Sequence, residues 1–306
     1  MTTIKTLIST AVIALGLISC SKSEPAAPDN TSNQTAKTKF IEAGGTKYAY
    51  RELGNQSGTP VLMLSPLGSS LDDWDPAVTN GIAQNYKVIL VDLDGVGAST
   101  GTTPNNIVDM AKGATTFIKA MGLKKVNLLG FSLGSFIAQQ VALTEPELIK
   151  KMILTGTGPK GAVGLSNLTN LLAAGAGLTP EQNFLFFGFT KSDASIKAGT
   201  ASWNRVHERT TDRDPAVSQE SAGAAVQAVL GWAQPNAAAL DELKQVTIPV
   251  LIAQGKEDLP VPVENAINMS QHLPNARLVV YPDAAHAALF QNADAFVKEV
   301  VGFLAQ

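Results

Sequence analysis

The sequence predicts an α/β protein: a doubly wound, mostly parallel sheet with helices on both faces and an inserted helical segment. Three observations lead there. Short apolar runs such as Pro60-Val61-Leu62-Met63-Leu64 and Lys87-Val88-Ile89-Leu90-Val91-Asp92 alternate with stretches of helical periodicity, the pattern of buried parallel strands joined by crossover helices. A further run, Val126-Asn127-Leu128-Leu129, passes through Gly130-Phe131-Ser132-Leu133-Gly134 directly into a small-residue helical stretch. Between about residues 158 and 243 the alternation lapses into Ala-, Leu- and Gln-rich sequence with no convincing strand.

The first residues stand apart. Lys5 precedes an apolar stretch over residues 7–18 that Leu17-Ile18-Ser19-Cys20 closes. It is too short to span a bilayer comfortably and has the layout of a cleavable secretory signal, here residues 1–19. Cys20 is the only cysteine, which excludes an internal disulfide and a thiolate metal cluster. These four residues resemble a bacterial lipobox. The resemblance implies lipidation of Cys20 and a lipid anchor to the cell envelope, and Ser21 resembles the signal for the outer membrane of a diderm cell. The anchor would then sit at its periplasmic face. Residues 20–39 are mostly Ser, Pro, Ala, Asn and Thr with scattered charge and read as a flexible tether, leaving 40–306 as the folded domain.

Within that domain, residues 40–52 with Gly44-Gly45 at the centre predict a β-hairpin. The two apolar runs named above follow as strands. Between them Asp75-Pro76 predicts a helix start, an N-cap acceptor with proline at the first helical position. Residues 107–121 have helical periodicity, which Gly122 stops. Lys151-Met152-Ile153-Leu154-Thr155, Ile248-Pro249-Val250-Leu251-Ile252-Ala253 and Ala276-Arg277-Leu278-Val279-Val280-Tyr281 predict the remaining strands. The segment 158–243 predicts several helices lying as a lid over the strand C-terminal ends, where open α/β sheets bind ligands.

A formal net charge of −3 gives no electrostatic reason to expect a nucleic-acid partner. The chain contains no zinc-ligand spacing, P-loop or GxGxxG fingerprint, so neither metal nor cofactor is expected, and no protein partner is indicated. The chemistry gathers instead at Ser132. Gly130-Phe131-Ser132-Leu133-Gly134 lies between strand and helix, where the G-x-S-x-G pattern holds a serine in a strained turn with its hydroxyl clear of the sheet. The helix N-terminus beneath it offers free N–H groups for a developing oxyanion.

An activated serine needs a base, and the base an orienting acid. Of the three histidines, His207 falls in a charged helical stretch and His272 at a helix end before Leu273-Pro274. His286 lies in a small-residue loop after the last strand and is the expected base. The loop after Lys151-Met152-Ile153-Leu154-Thr155 carries no carboxylate, whereas Gln254-Gly255-Lys256-Glu257-Asp258 follows a buried strand. Asp258 is the expected acid, with Glu257 as the neighbouring alternative and Asp283 as a turn residue capping its own loop.

The order Ser132, Asp258, His286 is that of α/β-hydrolases, and from about residue 40 onward the chain resembles that superfamily. Asp92-Leu93-Asp94-Gly95-Val96-Gly97-Ala98-Ser99 resembles its D-x-x-G-x-G-x-S loop, and Pro282-Asp283-Ala284-Ala285-His286 its histidine loop. Where most members carry His-Gly before an oxyanion donor, this chain has Ser65-Pro66-Leu67-Gly68; Pro66 has no N–H, so the resemblance gives the donors as the Leu67 and Leu133 N–H groups. It implies a serine hydrolase that cleaves small to medium apolar carboxylic esters, thioesters or lactones through an acyl-enzyme. The alternatives are cofactor-free perhydrolysis, haloperoxidase-like or carbon–carbon bond chemistry with the same residues, and a non-catalytic envelope lipoprotein. The run Phe184-Leu185-Phe186-Phe187-Gly188-Phe189 is expected to form lid core, with some rings facing an apolar pocket.

Overall fold

The computed structural model describes residues 32–54 and 57–306, so the signal-like residues 1–19 and Cys20 lie outside the described residues. The chain opens with a hairpin, β1 (Lys39–Ala43) and β2 (Thr46–Leu53), turning at Gly44 and Gly45 with φ of 61° and 88°. β3 (Val61–Leu64), β4 (Val88–Val91), β5 (Val126–Phe131), β6 (Ile149–Thr155), β7 (Val250–Gly255) and β8 (Ala276–Tyr281) complete an eight-stranded sheet of order β1-β2-β4-β3-β5-β6-β7-β8. β2 runs antiparallel to both of its neighbours; all other pairings are parallel.

Helices follow the strands as the alternation demands. α1 (Pro76–Ala83) comes after β3, α2 (Ile107–Ala120) after β4 and α3 (Leu133–Thr144) after β5. Between β6 and β7 come α4 (Leu168–Gly175), α5 (Pro180–Gly188), α6 (Asp193–Val206), α7 (Gln219–Trp232) and α8 (Ala239–Leu243). α9 (Val263–His272) follows β7, and α10 (Ala288–Gln291) and α11 (Ala293–Ala305) follow β8. The two-residue period of a strand divides the core between the sheet's faces. Leu62 and Leu64 of β3 pack with Phe117 of α2 and Phe136 of α3, while Val61 and Met63 pack with Ile82 of α1 and Phe296 of α11. β3, β4, β5 and β7 are buried along their whole length, which is why β3 and β4 read as unbroken apolar runs and β5 and β7 as runs broken only at Asn127 and Gln254.

Polar contacts fasten the inserted helices to this core. Fully buried Asp75 accepts the Ala77 N–H as the N-cap of α1, and also binds Ser202 Oγ at 2.6 Å and the Arg205 guanidinium at 2.8 and 2.6 Å on α6. Asp72 pairs with the buried Arg51 guanidinium at 2.5 Å and accepts the Asp214 N–H at 2.5 Å. The expected tether ends earlier than residue 39. Asn33 and Ala36 are buried, Asn33 N–H donates to Asn80 at 2.8 Å, Arg209 Nη1 donates to Asn33 O at 2.8 Å, and Thr38 N–H donates to Asp212 at 2.9 Å. The composition of residues 32–38 hid this, because polar partners and one small apolar side chain hold them rather than an apolar run.

Asp92, at the end of β4, meets Asp214 from the segment between α6 and α7. Burial pushes the Asp92 carboxyl well above the usual carboxylate range, and the facing Asp214 carboxyl adds to it. Burial also raises Asp214, against Arg51 and Arg209 nearby. Oδ2 of each is buried without another partner, so a single shared proton satisfies both. An unfolded Asp ionises near pH 3.9. Above that pH the folded pair still holds a proton that the unfolded chain has released, so its contribution to stability falls as pH rises toward the pair's raised pKa. Asp214→Asn supplies an amide donor to Asp92 and needs no shared proton. Thermal scans from about pH 4 to about pH 8 are expected to show its melting temperature gaining on the native protein as pH rises. Parallel curves would disprove proton sharing.

Candidate active site

β5 ends at Phe131 and α3 begins at Leu133, so Ser132 alone makes the turn between them. It does so at φ 52° and ψ −117°, a conformation that costs a residue with a side chain about 1–3 kcal/mol. Neighbours over-determine it. Ser132 N–H donates to Thr155 O at 2.9 Å, extending the ladder to β6, while its carbonyl accepts Ser135 N–H at 2.8 Å and Ser135 Oγ–H at 2.6 Å. The close approach requires the two glycines: a Cβ on Gly130 would overlap the Gly134 carbonyl, and one on Gly134 would overlap the Leu64 carbonyl.

Asp258 and His286 come together at the adjoining sheet edge. Asp258 is 4% exposed and accepts three hydrogen bonds: His286 Nδ1 at 2.8 Å and Gln254 Nε2 at 2.8 Å on Oδ2, and Val261 N–H at 2.9 Å on Oδ1. With the carboxylate accepting, Nδ1 carries the hydrogen and Nε2 keeps its lone pair. The acid and histidine loops are laced by Lys256 N–H to Tyr281 O at 3.0 Å and Glu257 N–H to Ala284 O at 2.9 Å, and a Cβ on Gly255 would overlap the Ala285 carbonyl. Glu257 is exposed and takes no part.

Ser132 and His286 line one cavity of about 380 Å³. Its walls are Phe131 and Phe290 from the core, and Leu165, Leu168, Leu172, Phe184, Phe187 and Trp203 from the inserted segment. Two rings of the phenylalanine run thus face the cavity, and Phe189 is buried in the core cluster that holds Phe131. Leu67 lies on the wall beside Ser132, and Leu133 with Ser65, Pro66, Gly68 and Ser69 lines a hollow of about 50 Å³ alongside. Neither Leu67 nor Leu133 N–H donates to another group among the described residues. The loop that lacks histidine is braced differently: Trp74 Nε1 donates to Ser65 Oγ at 3.0 Å, and Ser70 with Asp73 forms a capping box around the 3₁₀ turn Leu71–Asp73.

The remaining candidates fall outside the cavity wall. His207 is exposed and His272 half-buried, and each places Nδ1 near its own helix, 2.7 Å from Trp203 O and 2.8 Å from Asn268 O. Asp283, at φ 47°, does more than cap its own loop: it accepts Thr190 Oγ1 and Ser192 Oγ, both at 2.6 Å, from the inserted segment, and these bonds hold its carboxyl below the usual range. Sequence reasoning missed Gln254 and Asp73. Gln254 carried a signal, a polar residue closing an apolar strand four residues before Asp258. Asp73 carried a weaker one, the third position after Ser70, which marks a cap but not a cavity wall.

A family model described as alpha/beta hydrolase fold matches residues 59–293. An alpha/beta hydrolase fold protein from Chitinophaga pinensis superposes with a TM-score of 0.87 at 38% identity, covering 90% of this chain and 99% of that one. The 2-hydroxy-6-oxo-6-phenylhexa-2,4-dienoate hydrolase of Burkholderia cepacia is 27% identical over 289 residues, 89% of this chain and 98% of the relative. A pimeloyl-[acyl-carrier protein] methyl ester esterase of Aliivibrio fischeri is 26% identical over 259 residues, 81% of this chain and 95% of the relative.

Gln254 is fully buried, donates to Asp258 and Val261 O, and accepts Thr157 N–H at 3.0 Å. Gln254→Met keeps the volume but leaves the Thr157 N–H and the Val261 carbonyl unpaired, at about 1–3 kcal/mol each. Denaturant unfolding is expected to show a loss of that order; a midpoint unchanged from the native protein would disprove the network's weight.

Proposed function

The chain belongs to the alpha/beta hydrolase family, and from that premise we propose that it is a serine hydrolase of carboxylic esters, thioesters or lactones with small to medium apolar groups. The observation that carries this reading is one cavity lined by both a strained serine turn and a histidine whose Nδ1 is fixed on a buried carboxylate. In this mechanism His286 Nε2 takes the Ser132 proton as Oγ attacks the substrate carbonyl carbon. The tetrahedral oxyanion is stabilised by the Leu67 and Leu133 N–H groups, and its collapse expels the alcohol or thiol, protonated by His286. Water, deprotonated by the same imidazole, then releases the acid from the acyl-enzyme. Asp258 keeps the ring in the right tautomer and stabilises the imidazolium. The esterase likeness supports the reaction type, and the aromatic walls support apolar substrates.

A second reading, hydrolysis of a carbon–carbon bond beside a carbonyl by the same side chains, is favoured by the likeness to the phenylhexadienoate hydrolase. The carboxyl of Asp73 on the cavity wall opposes an anionic substrate of that kind. The proposal also includes an envelope anchor at Cys20, tested by loss of lipid labelling and membrane fractionation in Cys20→Ser.

A fluorophosphonate probe is expected to label the native protein and not Ser132→Ala, with turnover of a series of 4-nitrophenyl esters lost in the same variant. Labelling that persists in Ser132→Ala would refute the nucleophile. Asp258→Asn is expected to lower kcat by about 10⁴-fold through the wrong imidazole tautomer. Asp283→Asn is expected to change kcat less than about three-fold while lowering the melting temperature, because its bonds reach Thr190 and Ser192 rather than the imidazole. The reverse ranking would transfer the acid's role to Asp283.

A further inference from the structure

Asp73 is the one carboxyl among the residues lining the cavity that holds Ser132 and His286. We propose that Asp73 binds a hydrogen-bond donor on the substrate, a hydroxyl, amide N–H or ammonium. The preferred esters are then apolar chains carrying such a donor, and esters carrying a second carboxylate are rejected. The inference rests on the serine-hydrolase reading and names its substrate class.

The geometry accounts for only half of this side chain. Oδ2 accepts the Ser70 N–H at 2.7 Å and lies 3.4 Å from Ser70 Oγ, completing the capping box. Oδ1 makes no hydrogen bond and no ion pair within the described residues. Burial pushes this carboxyl above its usual range and Asp72 adds to the effect, while the Ser70 N–H and the charge of Arg213 act against it. A polar atom facing an apolar space without a partner is unfavourable, and a substrate donor relieves it.

The rest of the lining sharpens the selection. No Lys or Arg lines the cavity, so a substrate carboxylate would meet Asp73 with no cation in direct reach, the charge of Arg213 acting only from outside the lining. Asn183, on α5, also lines the cavity, but its Oδ1 is buried against Gly175 and closed to a substrate. Recognition of one polar substituent on an apolar chain fits Asp73, whereas a purely hydrocarbon substrate leaves its Oδ1 unpaired.

The test compares 4-nitrophenyl esters over a range of chain lengths, each length ending in a methyl, a hydroxyl or a carboxylate group. In the native enzyme the hydroxyl-terminated ester of the best length is expected to exceed its methyl counterpart in kcat/KM by roughly ten- to a hundred-fold, with the carboxylate ester slowest. Asp73→Leu is expected to invert the hydroxyl-to-methyl ratio. Asp73→Asn keeps an oxygen for the Ser70 N–H, and is expected to abolish the discrimination against the carboxylate ester; it carries the test if the leucine variant does not fold. Equal slowing of all three series in both variants would show that Asp73 acts only as a cap, and overturn the proposal. Should no ester be turned over, the serine-hydrolase reading fails by itself. Calorimetric binding of the same esters to Ser132→Ala then reads the same ratios, and a hydroxyl ester bound no better than its methyl counterpart overturns the role of Asp73.

Discussion

The buried carboxylate of Asp258 is the constraint around which the site is built. A carboxylate withdrawn from water is very unfavourable unless donors surround it. Its three donors come from three places: the end of β7, the loop after it, and the loop after β8. Satisfying the charge therefore fixes those segments relative to one another. The second of Gln254's roles carries the order further, because its Oε1 accepts the Thr157 N–H just beyond β6. The Thr157 hydroxyl lies 2.9 Å from Ser135 Oγ, which bonds the Ser132 carbonyl at 2.6 Å. A continuous chain of hydrogen bonds thus runs beneath the site from the serine turn to the imidazole.

That chain explains how a strained residue persists. The cost at Ser132 is about 1–3 kcal/mol, comparable to one or two net hydrogen bonds. Its backbone and the residue three positions on supply more than that number, and the flanking glycines remove the steric objection. The conformation is held from the β6 side and from within α3 at once, so the hydroxyl stands above the sheet without having to order itself when a substrate arrives.

Much of this was legible in the sequence, for identifiable reasons. Strands buried on both faces leave apolar runs with at most one polar interruption, so β3, β4, β5 and β7 announce themselves; β8, whose burial is only partial, carries Arg277 within its run and still reads as a strand. Ser132 was visible because its turn needs glycine on both sides, and His286 because the chain has few histidines to choose from. What the sequence concealed are contacts between distant polar residues. The Asp92–Asp214 pair, the docking of Asn33 on Arg209 and the bridge from Asp283 to Thr190 and Ser192 each join segments far apart in the chain. No periodicity marks such a partner, since one polar residue in a loop looks like any other until the fold brings its mate.

The division of labour across the cavity follows from which part of the chain each wall belongs to. Ser132, Asp258 and His286 sit on loops after β5, β7 and the edge strand β8, where the sheet's hydrogen bonds and the close glycine contacts limit movement. The facing apolar wall is made by α4, α5 and α6, elements that contribute nothing to the sheet and are tied to it by discrete polar contacts at Asp72, Asp75, Asp92 and Asp283. Changes in Leu172, Phe184 or Phe187 reshape the cavity without disturbing the sheet's ladder. Asp73 differs from these, since it belongs to the loop after β3 that also presents Leu67, and its Oδ2 is committed to holding that loop. In the proposed mechanism a polar recognition group placed there ties the position of the substrate to that of the Leu67 N–H, so a ligand engaged by Asp73 is registered against the same loop backbone.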